Sequence, residues 1–281
     1  MRFEIFSLKH VLFTVAVAVF AAAMAVMFFV FAGPAWAAVD FDRNDVAFSG
    51  KPAQSVVADV DGDGERDLLV VKQSDNAVGV RLGNGRGGFG AEGRFPVGDD
   101  GDGVIEGPLA LALGDFDEDG NLDIVTANTT EDANVFRPDS VSILLGDGDG
   151  AFGTPTKFRV GDHPNTVAVA DLDAAGNLDI VTSNAGSGGV SGDISALFGK
   201  GDGTFEAAVS LSAAPSGSEV RHTPQGVVVA DFDGDGNLDL AAVSSFANTA
   251  SVLLGDGMRG FGGAVSFGVG SLPTEIVADR L

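Results

Sequence analysis

The sequence predicts an all-β protein: a β-propeller-like array of four four-stranded blades, with partial blade strands at both ends. An acidic loop of fixed spacing recurs four times along the chain. Apolar runs of strand length flank each copy, and a glycine-rich turn that ends in Phe follows in the same phase. Short antiparallel strands that repeat with a period of about 40–60 residues are typical of propeller blades.

The acidic loop has the spacing Asp-x-Asp-x-Asp-Gly-x-x-Asp. Its copies begin at Asp59, Asp115, Asp171 and Asp231, at intervals of 56, 56 and 60 residues. Carboxylates at alternate positions of a tight loop can form an oxygen cage for a hard cation, and the glycine permits the sharp turn. Solvated turns are also rich in Asp and Gly. Four copies in the same phase favour the metal-binding interpretation.

The flanking residues distinguish this loop from an EF-hand. An EF-hand carries Glu at position 12 and lies between helices. Position 12 is instead occupied by Val70, Thr126, Thr182 and Ala242. Apolar runs of strand length, mostly rich in β-branched residues, precede position 1 and follow position 9, which predicts that each loop lies in a β-hairpin.

The second recurring motif is a glycine-rich turn ending in Phe, at residues 82–90, 145–153, 198–205 and 254–262. A phosphate-binding loop is an alternative interpretation. The motif lacks the Gly-Lys-Ser/Thr ending, however, and does not open a helix. It is better interpreted as a tight turn between strands whose Phe anchors the turn to the core.

The third repeat shows the predicted order of strands most clearly, at residues 166–170, 178–183, 193–198 and 207–211. No helical period is found after the N-terminal segment. The predicted units are 49–105, 106–162, 163–222 and 223–272, with a partial unit at 273–281.

The two ends of the array resemble pieces of further blades. Residues 46–48 lie where the fourth strand of a preceding blade is expected, and residues 274–279 repeat a first strand and its first loop Asp. An open arc, a truncated array, completion by a partner and a strained closed ring all remain alternatives.

The N-terminal segment, residues 1–37, is predicted to be a signal peptide. Arg2 and Lys9 precede an apolar run at 11–32, and Pro34 is followed by the small-x-small pattern of 35–37. The apolar run of 22 residues is also long enough to span a bilayer, so an uncleaved anchor is the alternative. Either alternative predicts export, to a secreted or cell-surface location.

Composition excludes several classes of function. The net charge of −24 argues against nucleic acid as a partner. Because the chain has no Cys, bound cations rather than disulfides are expected to hold the loops together. No Cys nucleophile and no Gly-x-Ser-x-Gly elbow is present. His163 and His222 are expected in surface loops, and residues 99–102 are interpreted as a solvated acidic turn. We therefore expect no catalytic residues.

These units resemble the FG-GAP/VCBS repeats that build integrin-α-type β-propellers, and the resemblance covers residues 38–281. It implies Ca²⁺ held by the carboxylates at positions 1, 3, 5 and 9 and by the carbonyl at position 7. The implied ligands of the complete loops are Asp59, Asp61, Asp63, Glu65, Asp67, Asp115, Asp117, Asp119, Asn121, Asp123, Asp231, Asp233, Asp235, Asn237 and Asp239.

The third loop departs from the pattern because Ala175 replaces the carboxylate at position 5. Its remaining implied ligands are Asp171, Asp173, Asn177 and Asp179. We expect this site to be weaker or empty.

The sequence thus predicts an exported, calcium-binding, non-catalytic module for adhesion or protein interaction. A carbohydrate-binding or polysaccharide-lyase-like propeller is one alternative, although no Trp or Tyr follows residue 37 to form a sugar platform. A truncated structural fragment of a larger repeat protein is another. The expected partners are an extracellular protein or glycan, a membrane only if the N-terminal segment stays uncleaved, and a second copy bound through open sheet edges.

Overall fold

The computed structural model describes residues 48, 50–97, 106–130 and 139–278. The predicted signal peptide, residues 46–47, the acidic turn at 99–102 and Asp279 lie outside the described residues. Residues 1–47 and residues 48–281 form separate units, and only the second is described below.

The described residues form sixteen strands in four antiparallel sheets, which we call blades 1 to 4. Blade 1 contains β1 (Pro52–Ala58), β2 (Asp67–Lys72), β3 (Ala77–Arg81) and β4 (Gly93–Pro96). Blade 2 contains β5 (Glu106–Gly114), β6 (Asp123–Thr130), β7 (Ser140–Leu144) and β8 (Thr156–Arg159). Blade 3 contains β9 (Pro164–Ala170), β10 (Asp179–Asn184), β11 (Asp193–Leu197) and β12 (Val209–Leu211). Blade 4 contains β13 (Pro224–Ala230), β14 (Asp239–Ser244), β15 (Thr249–Leu253) and β16 (Val265–Gly268).

Each blade is a simple meander in which every strand pairs with the next along the chain. In blade 3, for example, Val181 lies opposite Ala168 on one side and Ala196 on the other. The predicted all-β array of four four-stranded blades is therefore confirmed. The four strands predicted for the third repeat are all present, with ends shifted by one or two residues.

Helical structure among the described residues is limited to one 3-10 turn at Gln73–Asp75. No helix in this part of the chain has the length and apolar character needed to cross a bilayer.

Apolar side chains fill the space between successive blades. Strand residues alternate between the two faces of a sheet, so each blade contributes one face to the core before it and one to the core after it. Between blades 2 and 3, Val125 and Ile143 of one sheet and Ile180 and Leu197 of the next belong to one buried cluster. Similar clusters join blades 1 and 2 and blades 3 and 4.

The Phe that ends the glycine turn of blades 2, 3 and 4 belongs to these interblade cores. Phe152 of blade 2 packs edge-on against Phe95 of blade 1, with ring centroids 5.2 Å apart. Phe205 of blade 3 packs in the same way against Phe116 and Phe158 of blade 2, at 5.6 and 5.3 Å. The turn Phe therefore anchors its blade to the preceding one.

The first strands of successive blades lie side by side, with β1 next to β5, β5 next to β9 and β9 next to β13. Among the described residues, no contact of similar extent joins blade 4 to blade 1, so the four sheets form no closed barrel. Residues 273–278 form no strand, but Ile276 lies beside Gly226 of β13. This is the place where the first strand of a further blade would run.

Candidate metal centres

Each acidic loop connects the first two strands of its blade. Position 1 follows the last residue of the first strand, and position 9 is the first residue of the second strand. The four aspartates at position 9, which are Asp67, Asp123, Asp179 and Asp239, are buried. The loops therefore lie at the same end of every blade, each with one buried carboxylate beneath the more exposed ones.

The structure brings together the carboxylates at positions 1, 3 and 9. In each loop, three of their ligand atoms lie within 4.8 Å of one another. The four clusters are Asp59, Asp61 and Asp67; Asp115, Asp117 and Asp123; Asp171, Asp173 and Asp179; and Asp231, Asp233 and Asp239.

The carboxylates at position 5 lie outside these clusters. Asp63 Oδ1 accepts the backbone N–H of Glu65 at 2.7 Å, and Asp119 and Asp235 accept the N–H of Asn121 and Asn237 at 2.8 Å. Position 5 therefore supports the turn at position 7, and the third loop forms the same three-carboxylate cluster without it.

The position-9 aspartate joins the acidic loop to the glycine turn, a role that the sequence analysis missed. Asp179 Oδ2 accepts the N–H of Leu172 in the loop, and Oδ1 accepts the N–H of Gly199 in the turn, both at 2.8 Å. All four blades repeat this pair of bonds. The constant phase of the two motifs was the sequence signal that could have revealed the connection.

The first glycine of the turn is required by this close approach. A Cβ on Gly199 would lie 2.2 Å from the carbonyl oxygen of Leu178, which belongs to the loop. The corresponding distances at Gly83, Gly146 and Gly255 are 2.1, 2.3 and 2.1 Å. A side chain at this position would push the turn away from the loop and break its bond to the position-9 carboxylate.

Two of the position-9 carboxylates have raised pKa values in the absence of a cation. Burial, together with the nearby negative charges of Asp115 and Asp117, raises the pKa of Asp123 to about 6. Burial and the two corresponding loop aspartates raise the pKa of Asp179 to about 6 as well. Backbone hydrogen bonds oppose both shifts. A bound cation would remove the repulsion that remains.

The second loop provides the clearest test of whether these residues fit a metal ion. Asp117 Oδ1 is buried and has no hydrogen-bond partner. Such an atom is costly to bury unless it meets a donor or a cation. The two oxygens of Asp115 are oriented by the N–H groups of Asp119 and Gly120. An all-oxygen cluster with an unsatisfied buried oxygen fits a hard cation.

The third loop differs because an arginine of the next blade enters it. Arg259 Nε donates to Asp173 Oδ2 at 2.8 Å, and its Nη1 donates to Glu206 at 2.9 Å. The guanidinium carbon lies 4.8 Å from the centroid of the Phe198 ring. These bonds raise the pKa of Arg259, so the group stays charged. Residues 171–179 therefore fit a metal ion less well than the other three loops.

The two histidines differ in their surroundings, and the expectation that both lie at the surface is wrong for His222. His222 is buried, and its Nδ1 has no hydrogen-bond partner. His163 is half-buried and contacts Asp162 at 2.8 Å. The buried Asp139 accepts the His163 N–H and the Thr130 hydroxyl, so this group of residues is a satisfied hydrogen-bond network.

The meander blades and the four hairpin loops define a propeller-type repeat protein. A family model described as FG-GAP-like repeat matches residues 59–126 and 176–242. Each match runs from one acidic loop into the strand that follows the next. The chain therefore contains FG-GAP-like repeats in these two regions, as the sequence motifs indicated.

Comparison with solved structures gives the same fold. A functionally unknown protein from Desulfotomaculum acetoxidans is 10% identical, with a TM-score of 0.57 over 84% of this chain and 62% of that one. This chain thus spans less than two thirds of that protein. No curated protein matches the chain.

Two further solved structures are similar only at a low level. A lectin from Agrocybe aegerita, described as recognising non-reducing terminal N-acetylglucosamine, is 21% identical, with a TM-score of 0.34 over 76% of this chain and 66% of that one. The Photorhabdus luminescens Tc holotoxin pore is 19% identical, with a TM-score of 0.31 over 77% of this chain and 12% of that one. These scores are too low to add to the fold assignment.

Proposed function

We propose that the chain is an exported, calcium-binding repeat protein that acts as a non-catalytic module for adhesion or protein interaction. The unpartnered, buried Oδ1 of Asp117 is the observation that carries the calcium assignment. The clusters at positions 1, 3 and 9 of loops 1, 2 and 4 would hold the ions. The bound cation would neutralise carboxylates that repel one another.

Calcium fits the donor set better than other metals. Ca²⁺ takes six to eight oxygen ligands in flexible geometry, whereas Zn²⁺ and Cu²⁺ favour His and Cys. The four loops offer carboxylate and carbonyl oxygens and no nitrogen or sulfur side chain except Asn amides and the Arg66 guanidinium. Mg²⁺ demands near-octahedral geometry and usually keeps several waters.

The surroundings of the acidic groups favour a non-catalytic role. Both oxygens of each position-9 aspartate accept backbone N–H groups, so these carboxylates are structural acceptors. Burial lowers the pKa of His222, and its side chain is buried in the segment that joins β12 to β13. None of these groups is free to transfer a proton to a substrate.

An interaction role is supported by the uncovered face of blade 4. At position 2 of the loop, Val60, Phe116 and Leu172 are 4, 3 and 3% exposed, because the next blade covers each of them. Phe232 at the same position of blade 4 is 43% exposed. Leu254, Phe267 and Val269 of blade 4 are exposed too, whereas the residues at the same positions of earlier blades pack into the interblade cores. We call these four residues of blade 4 the forward face.

The occupant that we propose for the forward face is a second copy of this chain. The forward face continues the interface by which every earlier blade meets its neighbour. Blade 1 is not a matching partner for it, because Ser55, Arg66 and Arg81 stand where blade 2 has Leu111, Leu122 and Leu144. Head-to-tail pairing would bury two arginines there. We therefore propose a twofold dimer in which two forward faces pack together.

The thermal stability of the full-length chain, purified in mild detergent, tests the calcium assignment. Circular dichroism melts are compared in calcium, in magnesium and in chelator. With affinities of about 0.1–1 mM per site, typical of extracellular modules, calcium at about 10 mM should add ~1.4–2.7 kcal/mol per site. A cooperative melt that calcium leaves unchanged would show that the loops are solvated turns.

A further inference from the structure

The third acidic loop faces a positive charge that the protein itself supplies. Arg259 lies in the glycine turn of blade 4, and its guanidinium bonds to Asp173 of blade 3 at 2.8 Å. The Asp173 side chain is only 7% exposed. The equivalent aspartate of the second loop, Asp117, has a buried oxygen without a partner. The same ligand position is thus satisfied by Arg259 in one loop and unsatisfied in another.

The turn position of Arg259 explains why its side chain reaches the preceding blade. The residues at this position in blades 1, 2 and 3 are Gly87, Gly150 and Gly203. A Cβ on Gly150 would lie 2.7 Å from Leu82, and one on Gly203 would lie 3.0 Å from Leu145. These leucines belong to the preceding blades and align with Phe198, over which Arg259 stacks. The side chain of Arg259 is directed toward the preceding blade as well, as its contacts with Phe198 and Asp173 show.

Two sequence changes coincide at this joint. Ala175 removes the position-5 carboxylate from the third loop, and Arg259 places a cation against the carboxylate at position 3. Loops 1 and 2 keep all their acidic residues and face a glycine instead. Arg259 also bonds to Glu206 at 2.9 Å, which holds the guanidinium in place. The change in charge at the third loop thus comes from two residues in different blades.

We propose that Arg259 takes the place of a metal ion in the third loop, so that the chain holds calcium in three loops only. The expected number of ions rests on the proposed calcium binding. The ion pair between Arg259 and Asp173 does not depend on it. The proposed role of Arg259 predicts that the joint between blades 3 and 4 depends on ionic strength and does not depend on calcium.

The first experiment tests the ion pair without calcium. Arg259→Met keeps most of the apolar stem and removes the charge. Arg86→Met is the matched control, since Arg86 lies exposed on the corresponding turn of blade 1. In chelator at low salt, Arg259→Met should lower the melting temperature by about 2–4 °C, while Arg86→Met leaves it unchanged. The difference should shrink at high salt. Equal melting of Arg259→Met and the wild-type chain would overturn the proposal.

The second experiment counts bound calcium by native mass spectrometry and isothermal titration calorimetry. We expect three ions for the wild-type chain, three for Ala175→Asp alone and four for Ala175→Asp combined with Arg259→Met. Four ions in the wild-type chain, or three in the double variant, would overturn the proposal.

The two experiments separate the inference from the proposed function. If no variant binds calcium and Arg259→Met still lowers the melting temperature, the calcium assignment fails. The role of Arg259 as the cation of the third loop then stands.

Discussion

At the scale of single residues, position 9 contributes most to the loop. Its aspartate is buried and accepts one N–H from the acidic loop and one from the glycine turn. Hydrogen bonds to a charged group contribute about 1.5–3 kcal/mol each. The family resemblance implies a metal ligand at this position. The structure adds a role that exists whether or not a metal is bound.

This dual role predicts different behaviour for two substitutions in blade 1. Asp67→Asn directs an amide N–H toward one of the two backbone donors. We therefore expect the free energy of unfolding to fall by ~2–3 kcal/mol, both in calcium and in chelator. Asp63→Asn at position 5 should reduce only the part of the stability that calcium adds. Denaturant unfolding under both conditions measures each loss. If the effect of Asp67→Asn vanished in chelator, the aspartate would act through the metal alone.

The buried His222 predicts a pH dependence. Burial lowers its pKa in the folded state, so protonation favours the unfolded chain, whose His has a pKa of about 6.5. The neutral, buried ring therefore contributes its full stability above about pH 6.5. This stability is lost as the pH falls below that value, because the unfolded chain then binds a proton more readily than the folded one. His222→Gln should remove this contribution, so the difference in melting temperature from wild type should change between about pH 7.5 and 5.5. A constant difference would show that the ring does not titrate in this range.

At the scale of elements, each hairpin loop and its glycine turn act as one unit. The turn lies against the loop backbone so closely that only glycine fits at its first glycine position. In blades 2 to 4, the Phe that ends the turn packs into the core shared with the preceding blade. Displacing the turn should therefore affect both the acidic loop and the interblade joint.

A glycine substitution in blade 3 tests this unit. Gly199→Ala places a Cβ 2.2 Å from the Leu178 carbonyl oxygen. The backbone must shift, which costs about 1–3 kcal/mol. Gly263→Ala is the control, because a Cβ there meets nothing within 4 Å. Chemical denaturation should show a large decrease in the free energy of unfolding for Gly199→Ala and little change for Gly263→Ala. Similar losses for both would mean that the close approach is relieved without cost.

At the scale of the whole molecule, the forward face of blade 4 lacks the cover that blades 1 to 3 share. Phe267 is 57% exposed, whereas Phe95 and Phe158 at the same position pack into interblade cores. Neighbouring exposed apolar side chains of this kind mark interaction surfaces. We propose that the predicted self-association uses this sheet face rather than an open sheet edge.

The dimer prediction is tested by replacing two phenylalanines of the forward face. Phe232→Ser with Phe267→Ser should convert a dimer into a monomer in analytical ultracentrifugation with density-matched detergent. Val57→Ser is the control, since Val57 is equally exposed but belongs to β1. A wild-type chain that sediments as a monomer at every concentration would refute the twofold contact.

The strands, their order within each blade and the acidic loops could be predicted because they depend on local patterns. The alternation of apolar residues and the Asp/Gly spacing each extend over only a few residues. Their recurrence in four repeats distinguishes them from accidental matches. His222 illustrates the opposite case. It precedes a strand, as surface residues often do, but it is buried and its backbone bonds to Ser191 and Gly192, about thirty residues earlier in the chain.

The sequence by itself determined the blade array, the four loops and the loss of one carboxylate at Ala175. Only the tertiary structure decided which carboxylates converge, that Asp67 and its counterparts join two motifs, and that Arg259 enters the loop of another blade. These contacts link residues far apart in the chain, 86 positions in the case of Asp173 and Arg259. Their distances depend on how neighbouring sheets pack, which local sequence patterns do not specify.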